Sequence, residues 1–314
     1  MAPVPNRDPK VRIGITSPIV TRLPGACNEW EATAGIDELA RIAVTADRLG
    51  FHHLTCSEHV AVPVPVAEVR GGTYWDPSAT LGYLAGRTER IRLATQVLVL
   101  GYHHPLEIAK RYGTLDTVSA GRLILGLGVG TLREEFDLLD APFTDRGERA
   151  DDSLAALRAA LSERVPSYRG KYFEFSDMVV EPNAVQPRVP LWIGGRTPRS
   201  LRRACELADG WVPFGLSFDD VQAMLAERQV QSGFEVVLPA AGLDPIGDPD
   251  RTRRRLDRAV SAGATIIGAG VTAESADHYC EQLEALTELY GEAFGNAADL
   301  PLRGSATPYP PRRE

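Results

Sequence analysis

Four short segments combine residue types that can do chemistry. The first, Ser57-Glu58-His59, follows an apolar run and sets a carboxylate beside an imidazole. Imidazole titrates near neutral pH, so His59 suits general acid–base work; a histidine hydrogen-bonded within its loop is the plainer alternative. The second runs from Thr95-Gln96-Val97-Leu98 to Gly101-Tyr102-His103-His104. Three histidines could in principle ligate a metal. Adjacent histidines point in different directions, however, and no carboxylate sits at metal-site spacing, so no metal is expected. The third, Gly126-Leu127-Gly128-Val129-Gly130, invites a dinucleotide reading, but Thr131 stands where the last glycine of G-x-G-x-x-G belongs. Close backbone packing explains these glycines equally well. The fourth is Leu191-Trp192-Ile193-Gly194-Gly195-Arg196-Thr197-Pro198. A strand ending in two glycines before a capped helix offers free N–H groups to an anion. Arg196 adds a charge-assisted contact, and an ordinary glycine turn is the alternative. Trp75, Tyr102, His103 and Phe214 are candidate substrate-contacting residues on the same loops, and each could equally be a packing residue.

These segments need elements to place them. Short β-branched runs alternate with longer amphipathic stretches, which reads as repeated βα units. Eight strands are expected at 11–16, 53–57, 91–98, 123–128, 191–193, 211–213, 235–238 and 265–268. Asp76-Pro77, His104-Pro105 and Thr197-Pro198 each read as the start of a helix, with proline in the first turn. Further helices are expected at 149–163, 218–229, 250–261 and 273–289. Eight strands alternating with eight helices favour an α/β (β/α)₈ TIM barrel over a doubly wound open sheet. The expected organisation is a flexible start at 1–10, one barrel domain over 11–294 and a loose tail at 295–314. Residues 131–190 are too many for one helix, so an insertion is expected between strands four and five. In such a barrel, function sits on loops after the strands' C-terminal ends, which is where all four segments fall.

Composition bounds the function. Against 34 basic residues stand 42 acidic ones among 314, a net charge of −8. That excludes a general nucleic-acid footprint. Residues 1–10 are polar and hold no apolar signal core, and no apolar run approaches a membrane span. The four cysteines are scattered without a C-x-x-C pair, as expected of free thiols in the cytoplasm.

The order of segments resembles the bacterial luciferase-like monooxygenase superfamily, especially its branch using coenzyme F420, an 8-hydroxy-5-deazaflavin. The matching stretches include Ala46–Phe51 with Ser57-Glu58-His59, Thr88–Thr95, Ala120-Gly121-Arg122 running into Gly126–Gly130, Arg146–Arg149, and Pro190–Thr197 with Ala208–Trp211. Together they span roughly residues 11 to 290. The resemblance implies a flavin-type ring at the barrel mouth, against Glu58, Thr95, Gln96, Val97, Gly128 and Gly130. It implies a bulge in strand three with a non-prolyl cis peptide at Gln96–Val97. It implies that Gly194, Gly195 and Arg196 hold the cofactor phosphate with Thr197 nearby, and that His59 faces the redox-active ring. Glu58 stands where the branch often has Asp. The branch's sugar-phosphate dehydrogenases carry an acid where this chain reads Thr131-Leu132-Arg133, with Glu134 and Glu135 next, so a sugar-phosphate substrate is not implied.

The expected function is hydride transfer between coenzyme F420 and a small organic substrate, with His59 as proton donor. An FMN-dependent two-component monooxygenase served by a separate reductase is the alternative within the fold. A non-catalytic flavin-binding protein is the alternative outside enzymology. A homodimer is a family expectation.

Overall fold

The computed structural model describes residues 11–291, so the expected flexible start at 1–10 and the loose tail at 295–314 lie outside the described residues. Eight parallel strands close into a barrel: β1 Arg12–Ile15, β2 His53–Cys56, β3 Arg92–Val99, β4 Leu123–Gly128, β5 Leu191–Gly194, β6 Gly210–Val212, β7 Glu235–Leu243 and β8 Ile266–Val271. Each strand pairs with its sequence neighbour, and β1 closes onto β8 with Arg12 opposite Ile266. Ten α-helices are described: α1 Ile36–Leu49, α2 Val64–Arg70, α3 Pro77–Arg87, α4 Pro105–Val118, α5 Arg133–Leu138, α6 Arg146–Ala160, α7 Pro198–Leu207, α8 Phe218–Ala226, α9 Pro249–Ser261 and α10 Ala276–Tyr290.

Two hydrophobic layers follow from strand alternation. Inside the barrel, Ala94, Ile124, Trp192, Val212, Val237 and Ile266 form one cluster, with Val97 against it. Outside, the other strand face meets the helices through residues such as Leu54, Leu125 and Ile193 against Leu39, Leu81 and Leu154. The expected caps are in place: Asp76 accepts from Ala79 N, His104 from Leu106 N and Thr197 from Ser200 N.

Some boundaries differ from those expected. α6 begins three residues earlier, and β7 continues past Pro239 to Leu243 with an irregular register between Ala240 and Leu243. α2 and α5 are additional, and α2 buries none of its residues, so it leaves no periodic apolar stripe. The insertion consists of α5, the barrel helix α6, and a hairpin pairing Tyr168–Arg169 with Glu174–Phe175. No described helix is long and apolar enough to cross a membrane.

At the strands' N-terminal ends lies a buried polar floor. His52 Nδ1 and His53 Nδ1 are 3.0 Å apart, and His53 packs edge-on to Trp192. Arg12 pairs with Glu235, which also accepts from Trp192 Nε1 at 2.6 Å. Burial, with help from Arg92 and Arg12, pushes His53 down to about 3; burial, with His53 and then Arg12 and Arg92, holds His52 well below its ordinary value of 6.5. Both rings are neutral when folded and take up protons readily once unfolded. Stability is therefore full above about pH 6.5 and falls as pH drops toward 3, by up to about 1.4 kcal/mol per pH unit for each ring. A urea series from about pH 7 to about pH 5 is expected to show a steadily falling midpoint at constant m; a flat midpoint would contradict this.

Candidate functional site

At the opposite, C-terminal end, the loops enclose a cavity of about 780 Å³. One side is built by an irregularity in β3. The peptide Gln96–Val97 is cis, and the β3–β4 register shifts between Thr95 and Leu98. The end of β2 holds this bulge: Ser57 Oγ donates to Gln96 O at 2.7 Å, and Glu58 N donates to Val97 O at 3.3 Å. Val97 packs its methyls against the ends of β4 and β5. A Cβ on Gly128 or on Gly194 would lie 2.8 Å from a Val97 methyl, so both positions require glycine. Gln96 lines the cavity, and its Oε1 is buried without a partner.

The far end of the cavity is the β5–α7 turn. Gly195 has φ +146°, and a Cβ there would lie 2.5 Å from Ser200 Cβ. Thr197 and Ser200 cap each other reciprocally, Pro198 has no N–H, and Gly195, Arg196 and Arg199 line the cavity around this helix start. Arg196 and Arg199 line it and form no ion pair among the described residues; Arg196 lies 5.9 Å from the Phe214 ring. Arg146 joins them, fixed by donation to Gly130 O at 3.1 Å and stacked 3.8 Å from the Phe143 ring centre. This end attracts anions.

The near end holds two crossed acid–histidine pairs. His59 Nδ1 lies 2.7 Å from Glu135 Oε2, which also accepts from Tyr102 Oη at 2.7 Å. Glu135 Oε1 accepts the N–H groups of Val60 and Ala61. Burial opposes ionisation of Glu135. The bonds from His59, Tyr102 and Val60, with the attraction of His59, outweigh it and hold the carboxyl below its ordinary range. Burial and the bond to Glu135 raise Tyr102, which stays protonated. Glu58 is committed elsewhere: Oε2 accepts Val99 N at 2.7 Å, and Oε1 lies 2.7 Å from His103 Nε2. Burial lowers His103's proton affinity, but the bond to Glu58, with Glu58 and Glu107 nearby, raises it overall. The ring of Tyr74 stands edge-on to His59 at 4.4 Å.

The structure brings together Glu58, His59, Gln96, Val97, Tyr102, Gly128, Gly130, Gly194, Gly195, Arg196, Thr197 and Phe214 as lining of one cavity. Three expected site residues stand behind its wall. Thr95 is wholly buried and spends its hydroxyl on Gly126 O at 2.8 Å. Trp75 packs against the outer hydrophobic layer. His103 meets Glu58 from the rear and lines a smaller neighbouring cavity. Glu135, Tyr74, Arg146 and Arg199 line the site or hold it without having been singled out. Arg146 was visible as a family motif, and Glu135 as an acid in the helix after the strand-four glycines. His104 caps α4 and faces Phe173. Of the 131–190 insertion, only residues from Thr131 to Gly147 reach the mouth; its hairpin packs against α6.

A closed parallel barrel thus gathers arginines, a glycine-rich helix start and two acid–histidine pairs around one cavity at its mouth. Residues 19–240 match the luciferase-like monooxygenase family, and the chain belongs to it. Its members are oxidoreductases and monooxygenases. An uncharacterised protein of Mycobacterium tuberculosis is 28% identical over 262 residues, covering 79% of this chain and 92% of that protein. The F420-dependent glucose-6-phosphate dehydrogenase of Microbacterium testaceum is 29% identical over 57% of this chain and 52% of its own length. The oxygenase component of a flavin-dependent trigonelline monooxygenase from Acinetobacter baylyi is 27% identical over 52% of this chain and 44% of its own. The crystal structure of the monooxygenase RslO1 from Streptomyces bottropensis shares the fold, with TM-score 0.66 and 22% identity over 88% of this chain and 98% of that one.

Proposed function

We propose that this chain transfers hydride between coenzyme F420 and a small organic substrate, with His59 exchanging the accompanying proton. The observation that carries this reading is the excess of positive charge at the cradle. Arg196 and Arg199 have no carboxylate partner among the described residues, and both line the cavity beside Gly194 and Gly195. Coenzyme F420 carries carboxylates beyond its phosphate, whereas FMN ends at its phosphate, so two unpaired arginines suit the longer anion. The 29% identity to an F420-dependent dehydrogenase supports the same reading.

The rest of the cavity fits a flavin-type ring. The orphaned Gln96 Oε1 is an acceptor for a ring N–H, and the exposed backbone of the Val97 bulge, flanked by glycines, offers a surface for a flat ring. When bound, the deazaflavin supplies hydride chemistry without readily forming a peroxide with oxygen. The protein's residues do the rest. The β5–α7 turn with Arg196 and Arg199 binds the anionic arm, the bulge at Val97 orients the ring, and Tyr74 and Tyr102 wall the substrate space. His59 moves the proton.

Turnover with F420 that proceeds without oxygen uptake is the expected result of an oxygen-electrode assay run beside F420 absorbance. Oxygen consumption that requires reduced FMN would overturn the proposal in favour of a two-component monooxygenase.

A further inference from the structure

We infer that Glu135 is a positioning residue that fixes the His59 imidazole as its Nδ1–H tautomer, so that Nε2 faces the cavity as a proton acceptor. The inference rests on the proposed role of His59 and deepens it.

Four donors converge on the Glu135 carboxylate. Val60 and Ala61 offer backbone N–H groups to Oε1, while Tyr102 Oη and the His59 ring meet Oε2, each at 2.7 Å. An ionised carboxylate only accepts, so a His59 nitrogen at 2.7 Å must carry a proton. The Glu135 side chain is wholly buried, and the hydrogen bonds it accepts keep it ionised. His59 Nδ1 is therefore the protonated nitrogen. His59 lines the cavity and is part-exposed, and among the described residues Nε2 has no protein partner, which leaves its lone pair for a ligand.

Glu58 cannot take this part, although it is next in sequence. Both its oxygens are occupied, by Val99 N and by His103. The neighbours Glu58 and His59 are thus drawn to opposite partners. Glu58 holds the wall through α4's flank, and His59 is oriented from α5, 76 residues along the chain.

The chemistry follows. When bound, oxidised F420 would supply the acceptor for the hydride of a hydroxyl-bearing carbon, which would become a carbonyl. The accompanying O–H proton would pass to Nε2, and His59 would then be an imidazolium held against the Glu135 carboxylate. The reverse reaction returns the same proton.

Glu135→Gln tests this with a nearly isosteric change. The amide has one acceptor oxygen. The N–H groups of Val60 and Ala61 cannot turn away, so the oxygen stays with them and the NH₂ faces His59. That NH₂ donates to Nδ1 and forces the proton onto Nε2. ¹⁵N-edited NMR of the histidine rings in the cofactor-free protein reads the tautomer directly, with His59→Gln assigning the signals. Wild type is expected to show Nδ1–H and Glu135→Gln to show Nε2–H, with kcat for substrate oxidation lower on the order of 100-fold and cofactor affinity retained. A wild-type ring found as Nε2–H would overturn the inference whether or not the variant folds, and so would an unchanged tautomer in Glu135→Gln. The tautomer is read without cofactor. A tautomer exchange in a protein that turns over neither cofactor would uphold the positioning and refute the proposed function.

Discussion

Replacing His59 by asparagine is expected to lower kcat by a factor on the order of 10² to 10⁴ while leaving cofactor affinity close to that of the unmodified protein. Asparagine can still donate to Glu135, so the four-donor arrangement around that carboxylate keeps its fourth member. What disappears is the ring nitrogen proposed to accept the substrate's proton. The proposed anion cradle is built separately, by β5 and α7, so cofactor binding is expected to persist. Steady-state kinetics paired with a cofactor titration separate the two effects. A kcat within a few fold of wild type would show that another group carries the proton, and Tyr102 would be the next to test, because it too lines the cavity.

The second large effect is expected at the cradle. The double variant Arg196→Ala/Arg199→Ala should weaken F420 binding on the order of 10- to 100-fold and FMN binding much less. A hydrogen bond to a charged group contributes about 1.5–3 kcal/mol, and exposure of both arginines brings the expected loss toward the lower end. The backbone N–H groups and the Thr197–Ser200 cap survive in the variant, so a phosphate alone keeps most of its contacts. The same reasoning gives F420 affinity the steeper decline with added salt. Equal losses for both cofactors would show that the arginines serve only the phosphate.

The barrel was legible because its strands are short, largely apolar runs set between helical patterns, and Asp76-Pro77 and Thr197-Pro198 punctuate helices that the chain does form. β7 outran its expected end because Pro239 and Gly242 interrupt the pattern while the pairing with β8 continues to Leu243. The cradle was legible for a local reason: Gly194, Gly195, Arg196 and Thr197 are consecutive, and a helix start after a strand exposes N–H groups whatever lies elsewhere. The acid–base cluster is different. Glu58 stands beside the histidine in sequence, yet their side chains part, and the partner of His59 comes from a six-residue helix that leaves no periodic signal. Nothing in local pattern distinguishes Trp75, packed against the outer layer, from Tyr102, which faces the cavity, because an aromatic residue near a strand end suits either place. Thr95 was expected at the ring by its place in the bulge. The bulge leaves Thr95 on the barrel wall, bonded to Gly126 O, while Val97, expected at the ring as well, lines the cavity.

The central claim is that this cavity is built for a deazaflavin with a long anionic arm. Equilibrium titration of the purified protein with F420 and, separately, with FMN tests it most directly, each followed by fluorescence in the oxidised and reduced states. The account predicts micromolar binding of F420 and binding of FMN at least about tenfold weaker, the difference expected of roughly one charge-assisted contact. FMN binding as tight as or tighter than F420 would contradict it.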